Sequence, residues 1–374
     1  MDISKNYLLS SSFTLVCVRL WLKNFFLSAE FRSAIWKILA VVALPMISAL
    51  AAQPRDELVF SGPPAVVSFP LIHMIETGAL EDYVKSVRWE TWTNPDQMRV
   101  AVLRGKADFA AMPSNVVANL YNRGAPVEWV TVSTWGILWM VSRSENLETL
   151  SDFRGEEIAL PFRGDMPDLV FQAVAREAGL DPERDFRLRY VATPLDAVQL
   201  LLTRRVEHAL LAEPAISILL ERVNSGVARH LAPDLHRSVS LQEEWGRVFH
   251  REARMPQAGI AAIGKQSPTL RQAVHRAYTE SLQWCLAHPE EAGQIVARHL
   301  KQVSPEAAAR ALEVSPMEAL TAAEAEEELR FFYQVLQKAN PAIVGGKMPP
   351  DDFFRGDVGD EEISGGEKRA REKG

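Results

Sequence analysis

The chain has 374 residues, 47% of them hydrophobic and 24% charged, which excludes disorder throughout and leaves enough chain for two domains with sizeable cores. Its net charge of −7 argues against nucleic acid as the main partner, because domains that bind it usually carry a basic excess.

Residues 1–52 read as a leader. Phe31 to Ala52 places Arg32 and Lys37 ahead of an apolar core, with Ala49-Leu50-Ala51 before Ala52, the pattern of a cleavable secretory signal. No cysteine follows that core, so a lipid anchor is not indicated. The upstream run FTLVCVRLWLKNFF is interrupted by Arg19 and Lys23 and makes a poor membrane span. Its position fits a start codon assigned too early, the rival being an unusually long signal or anchor. Loss of the leader would remove Cys17 and leave Cys285, which sits between Trp284 and Leu286 on a helical pattern and reads as a packed residue rather than a nucleophile.

Glu57 to Phe60 reads as a first strand, followed by a loop that Pro63 and Pro64 stiffen. Leu71, Ile72, Ile75 and Leu80 mark a helix ending near Gly78, and Val87 to Trp92 reads as a second strand. Met98, Ala101 and Val102 recur at helical spacing up to Gly105, a residue able to take the left-handed conformation of a C-cap. Ala107 to Ala111 is a small-residue apolar run suited to a strand covered on both faces, and Pro113 ends it. Ser114 or Asn115 can then cap a helix whose Val116, Val117, Leu120 and Tyr121 form one face. Val127 to Ser142 is β-branched and aromatic, which predicts adjoining strands meeting at a bend at Trp135-Gly136, with Trp139 in the core.

A second region begins near Leu147. Ile158 to Pro161 is a strand; a loop through Arg163, Gly164 and Asp165 leads into a helix with Leu169, Val170, Ala173, Val174 and Ala178 on its buried stripe. Tyr190-Val191 is a further strand, and Thr193 with Asp196 is a capping pair. The next unit repeats the earlier one without gaps when Leu103 is laid on Leu202, Ala107 on Val206, Asp108 on Glu207 and Ala110 on Ala209. Two similar units predict two similar lobes, although helix–turn–strand also recurs by chance. Between Gly226 and Ser240 the chain is expected to return to the first lobe. PQAGIAAIGKQSP is then a strand with a following helix cap, and Pro268 to Ala339 reads as almost wholly helical.

The order GKADFAAMPSN, STWGILWMVS, LSDFRGEEIALPFRGDMPDLVFQAVAREAGLDP and RRVEHALLAEPA resembles the periplasmic substrate-binding proteins of ABC importers, in the nitrate, sulfonate, taurine and thiamine-precursor group, from about Glu57 to Phe354. The resemblance implies an α/β protein of two lobes, each a mostly parallel sheet flanked by helices. It divides the chain into a leader (1–52), the first lobe (53–143), the second lobe (144–235), a return with C-terminal helices (236–350), and a tail (351–374) that turns charged and glycine-rich and is expected to be disordered. In open α/β sheets ligands bind at the carboxyl ends of strands. The expected ligand-binding residues are therefore Ser61, Gly62, Pro63 and Pro64; Met112, Pro113, Ser114 and Asn115; Trp135 and Gly136; Arg163, Gly164 and Asp165; and Glu213. Each has a plainer alternative: Trp135 as a core or hinge residue, Arg163 as a solvated arginine or a partner of Asp165, Glu213 as a structural acid at a helix start. Relatives carry a bulky residue before the Glu-Pro pair where this chain has Ala212, which leaves the pocket differently shaped.

No GxSxG, HExxH, phosphate-binding GxxxxGK[ST] or paired CxxC is present, and the eight histidines are scattered; His73 and His208 read as satisfied structural residues. Beside this absence of enzyme motifs, the resemblance implies a monomeric receptor without metal or cofactor, not an enzyme, that delivers a small anionic or aromatic solute to an importer's permease by hinge closure. A pyrimidine-precursor enzyme on the same fold, a sensory domain without transport and a lipid-handling scaffold are the alternatives.

Overall fold

The computed structural model describes residues 55–224 and 233–355. The leader, Cys17 and residues 356–374 lie outside the described residues.

Two sheets organise the chain. The first is built from β1 (Arg55–Gly62), β2 (Val84–Thr91), β3 (Phe109–Pro113), β4 (Val127–Thr134), β10 (Ala258–Ile263) and β11 (Met317–Leu320), in the order β11-β4-β10-β3-β1-β2. The second contains β5 (Leu138–Ser142), β6 (Glu157–Pro161), β7 (Arg187–Val191), β8 (His208–Ala212) and β9 (His236–Ser240), in the order β7-β6-β8-β5-β9. Both are mixed rather than mostly parallel. β1 pairs in parallel with β2 and β3, as β6 does with β7 and β8, while β10, β4 and β11 in one sheet and β5 and β9 in the other run antiparallel to their neighbours.

The internal repeat is a structural one. After α1 (Phe69–Glu76), helices α2 (Pro95–Leu103) and α5 (Pro194–Leu202) both begin on a proline behind an extended N-cap, Asn94 and Thr193, whose side chain accepts from a backbone N–H in the first turn. The strands that follow, β3 and β8, each pair with one parallel and one antiparallel neighbour. β3 then feeds α3 (Ser114–Asn122) directly, and β8 feeds α6 (Ala215–Asn224) after the two residues Glu213-Pro214. The gapless alignment places these elements on one another.

The lobe boundaries differ from those expected at 143/144 and 235/236, because β5 and β9 are ladder partners inside the second sheet. The chain therefore leaves the first sheet after Thr134, eight residues earlier than the aromatic run suggested by itself. It returns only after α7 (Leu241–Phe249), whose buried Glu244 accepts from the Leu150 amide on the second lobe. The outgoing and returning segments lie side by side: the Met255 N–H donates to the Trp135 carbonyl and the Gln257 N–H to that of Thr134.

The C-terminal region is not wholly helical. After α8 (Pro268–Ala287), α9 (Pro289–His299) and α10 (Pro305–Val314), Ser315 is extended, as the residue before a proline tends to be, and β11 adds an edge strand to β4. Helix α11 (Glu326–Ala339) buries Leu329, Phe332, Tyr333 and Leu336, a one-sided stripe at helical spacing. Residues Asp352–Arg355, assigned from sequence to the tail, form the short helix α12 and bury Phe353 and Phe354. One apolar cluster joins the lobes, running from Met98 and Val116 in the first to Leu160 and Val170 in the second.

Candidate functional site

The carboxyl end of the first sheet is held from below by Ser114. Its N–H donates to the Gln257 carbonyl, its hydroxyl to the Pro256 carbonyl at 2.6 Å, and its own carbonyl accepts from the Tyr333 hydroxyl at 3.2 Å. This fixes the start of α3 against the returning segment. The Gln257 side chain in turn accepts from the Ile137 N–H at 3.0 Å, so one residue ties both crossing segments to the strand ends.

Three buried polar atoms just past the carboxyl ends of the adjacent strands β1, β2 and β3 have no hydrogen-bond partner: Ser68 Oγ, Trp92 Nε1 and Asn115 Oδ1. An unpaired buried polar group costs about 1–3 kcal/mol, so such atoms mark a place where water or a bound molecule completes the structure. Asn115 was expected at this edge. Ser68 and Trp92 were not; the only sequence signal for them was their position after a strand end.

Across the seam, α4 (Met166–Glu177) begins behind the loop 162–165, in which Phe162 and Gly164 take left-handed backbone angles. Buried Asp168 anchors this loop: it accepts from the Gly164 N–H at 2.7 Å, from Gln172 at 2.7 Å and from the Tyr190 hydroxyl at 3.1 Å. Burial, together with the neighbouring Asp168 charge, pushes the Tyr190 hydroxyl up to about 12, so it stays a donor at neutral pH. The Arg163 guanidinium lies over the Tyr190 ring, 5.0 Å from its centre. It has no ion pair among the described residues. Asp165 does not pair with Arg163; its carboxylate meets Arg99 of α2, an ion pair that crosses from one lobe to the other.

A cavity of about 610 Å³ lies on this seam. Arg99 and Leu103 of α2, Asn115 and Asn119 of α3, and Arg123 contribute from the first lobe; Gly164 and Leu169 contribute from the second. Asn340, Ala342 and Ile343 close the far side. That last wall is a strap, held because the Asn119 amide donates to the carbonyls of Ala342 and Ile343, and the Asn122 amide to those of Val344 and Lys347.

Of the expected ligand residues, the structure brings Asn115 and Gly164 to this cavity, with Asp165 tied to one of its lining arginines. Pro63, Pro64 and Pro113 are half-buried at strand ends, whereas Ser61, Gly62 and Met112 are buried within their strands. Gly62 leaves no room for a side chain, since a Cβ there would stand 2.4 Å from Ser68 Oγ and 2.6 Å from the Trp89 ring. Trp135 is buried in the hinge, its Nε1 donating to the Glu318 carbonyl at 2.8 Å and the Arg254 guanidinium covering its ring at 4.2 Å. Gly136 beside it has φ +128° and abuts Gln242. These two positions serve the crossing, not a stacking surface. Glu213 is likewise engaged: Arg237 of β9 donates to Oε1 and the Ser217 N–H to Oε2 at 3.1 Å, so the acid is the structural one. Among the described residues no group of three His, Cys, Asp or Glu is placed to hold a metal ion.

No protein-family model matches the sequence, and no curated protein matches it. Solved structures do match in shape. An ABC transporter protein from Parabacteroides distasonis superposes with a TM-score of 0.65 at 20% identity, over 80% of this chain and 98% of that one. The periplasmic aliphatic sulphonate binding protein SsuA from Escherichia coli gives 0.59 at 16% identity, over 78% and 90%. The periplasmic nitrate-binding protein NrtA from Synechocystis gives 0.52 at 16%, over 67% and 69%. The chain therefore has the two-lobed α/β fold of ABC-import binding proteins. A likeness in shape at so low an identity shows the fold alone, and function has to be argued from the site.

Proposed function

We propose that the protein is an extracytoplasmic solute receptor of an ABC importer, related to the nitrate, sulfonate, taurine and thiamine-precursor group. One small molecule is held between the lobes, at the seam cavity and the adjoining strand ends. The observation that carries this reading is the placement of a cavity lined from both lobes beside Asn115, whose buried Oδ1 lacks a donor. Closure would turn on residues 134–137 and 255–257, which run together and have the short, paired form of a hinge. Export would follow cleavage of the leader near Ala52, placing the mature chain in the periplasm to meet a permease in the inner membrane. Among the described residues no helix is long and apolar enough to cross a membrane.

A ligand that binds only the folded form raises the melting temperature by an amount set by its concentration over its dissociation constant. The test is a melting-shift panel on chain starting at Gln53, with nitrate, bicarbonate, alkanesulfonates, pyrimidine precursors and aromatic acids. One class should raise the transition and be recovered unaltered. Turnover of any of them, or a flat response to all, would refute the receptor.

A further inference from the structure

Lobes that close over a guest must also part again, and the seam carries a side chain placed to change partners as they do, a step that rests on the hinge motion of the receptor reading above. Arg99 of α2 and Asp165 at the head of α4 form an ion pair across the seam, their side chains 36% and 17% exposed. Arg99 and Gly164 line the cavity, so the pair bridges the lobes beside the space the guest would take.

Asp165 is the N-cap of α4, extended at φ −110° and ψ −176°, yet its side chain accepts from no N–H of its own helix. An aspartate there ordinarily satisfies a first-turn amide that has no partner inside the helix. The residue three positions on is Asp168, the spacing of a capping box, and only the Asp168 side is engaged: its Oδ2 reaches back to the Gly164 N–H at 2.7 Å. On α5 the pair Thr193 and Asp196 makes both halves, Asp196 accepting from the Thr193 N–H at 2.9 Å and Thr193 Oγ1 from the Asp196 N–H at 3.2 Å. Asn94, Ser240, Ser267 and Ser304 likewise cap α2, α7, α8 and α10 with their side chains. Asp165 is thus an N-cap residue drawn off its helix by a charge on the facing lobe.

Arg99 has a second partner of its own. Asp96, one turn earlier on α2 and 91% exposed, lies 3.2 Å from its guanidinium. Parting of the lobes therefore strands neither charge: Arg99 keeps Asp96, and the Asp165 carboxylate turns onto the Asp168 N–H of α4.

We propose that Asp165 is a partner-exchanging switch between the lobes. It holds Arg99 when they are closed and caps α4 when they are open, so that the loss of one contact on opening is offset by the gain of the other and the seam closes reversibly.

Spin labels at Lys106→Cys and Glu177→Cys, exposed positions on either lobe, read the lobe separation of the protein without added solute by double electron–electron resonance, in a Cys17→Ser background with Cys285 buried. Arg99→Met should raise the ratio of open to closed protein about tenfold, the scale of one charge-assisted hydrogen bond; Arg99 is partly exposed, so the variant keeps the fold. In the same variant the freed carboxylate should slow hydrogen exchange at the Asp168 amide, followed by NMR, about fivefold relative to the parent, the scale of an N-cap. Adding Asp165→Ala should erase that slowing. Asp165→Ser, whose hydroxyl caps a helix but offers Arg99 no charge, should show the slow amide with Arg99 intact. An unchanged lobe separation in Arg99→Met would overturn the switch, and so would opening without slower exchange at Asp168, the behaviour of a plain salt bridge. The melting-shift panel is read separately: a solute that binds beside either of those results leaves the receptor standing and removes the switch alone, whereas a flat panel removes the receptor and leaves the lobe distances to decide the switch.

Discussion

Arg237→Met is the substitution that separates a structural Glu213 from a ligand-binding one. The Glu213 side chain is 0% exposed and that of Arg237 is 15% exposed. Arg237 Nε donates to Glu213 Oε1 at 3.0 Å, and its Nη2 also reaches Ser217 Oγ at 2.9 Å. Removing the guanidinium leaves a carboxylate out of water with only the Ser217 amide for a partner. Breaking a buried pair in this way costs about 3–5 kcal/mol, a large part of a typical folding stability of about 5–15 kcal/mol. With a urea slope of about 2 kcal/mol/M, the transition of the second lobe should fall by roughly 1.5–2.5 M. Adding Glu213→Gln removes the stranded charge, and the double variant should recover to within about 1–2 kcal/mol of the parent. Urea unfolding followed by tryptophan fluorescence reads both. An Arg237→Met protein as stable as the parent would mean that the carboxylate is hydrated or reaches the cavity, and Glu213 would return to the set of ligand residues.

The seam ion pair makes a prediction of unusual sign. Burial raises the Asp165 carboxyl above the ordinary aspartate range, outweighing the lowering by Arg99, with Asp96 and Asp168 adding to the rise. A carboxyl raised in the fold contributes most to stability below its unfolded value and loses that contribution as pH rises through the folded one. Asp165→Asn should therefore hold or raise the melting temperature at pH 7 and match the parent below about pH 4, whereas Arg99→Met should lower it at pH 7; an Asp165→Asn variant clearly less stable at pH 7 would contradict the balance. Cys285 is buried, and burial pushes its thiol up to about 12. It should stay unmodified by iodoacetamide at pH 8 in the folded protein and react fully in urea, as read by peptide mass mapping; prompt labelling of the native chain would contradict its packing.

Local signals in the sequence carried a good deal of the fold. The proline-started helices, the small-residue strands and the gapless match of Leu103 on Leu202 reflect propensity and periodicity, which a short window holds. What the window does not hold is pairing. Trp139 to Ser142 reads as a strand adjoining β4 across the bend at Trp135-Gly136, yet its ladder partners are His208 to Leu211 on one side and His236, Arg237 and Ser240 on the other, far along the chain. The lobe boundaries shifted for that reason alone. Met317 to Leu320 carries no β-branched residue, and its extended form comes with pairing to the open edge of β4. At the site, strand-end loops were legible because chain order fixes where carboxyl edges fall. The Arg99–Asp165 bridge, the Arg237 partner of Glu213, and the missing donors at Ser68, Trp92 and Asn115 are tertiary facts. Residue type names the chemistry a side chain can do, and only the packed structure shows which partners have already used it.

The most direct test of a guest held between the lobes is native mass spectrometry of the chain starting at Gln53, isolated from its own cells under mild conditions, beside a variant in which Leu169→Trp fills the cavity from the second-lobe side. One small molecule per chain should appear on the parent, leave it intact on gentle heating with its mass unchanged from the free compound, and be missing from the variant while circular dichroism shows the same fold. Equal occupancy of both proteins, or release of a chemically altered product, would contradict a receptor that binds at the seam.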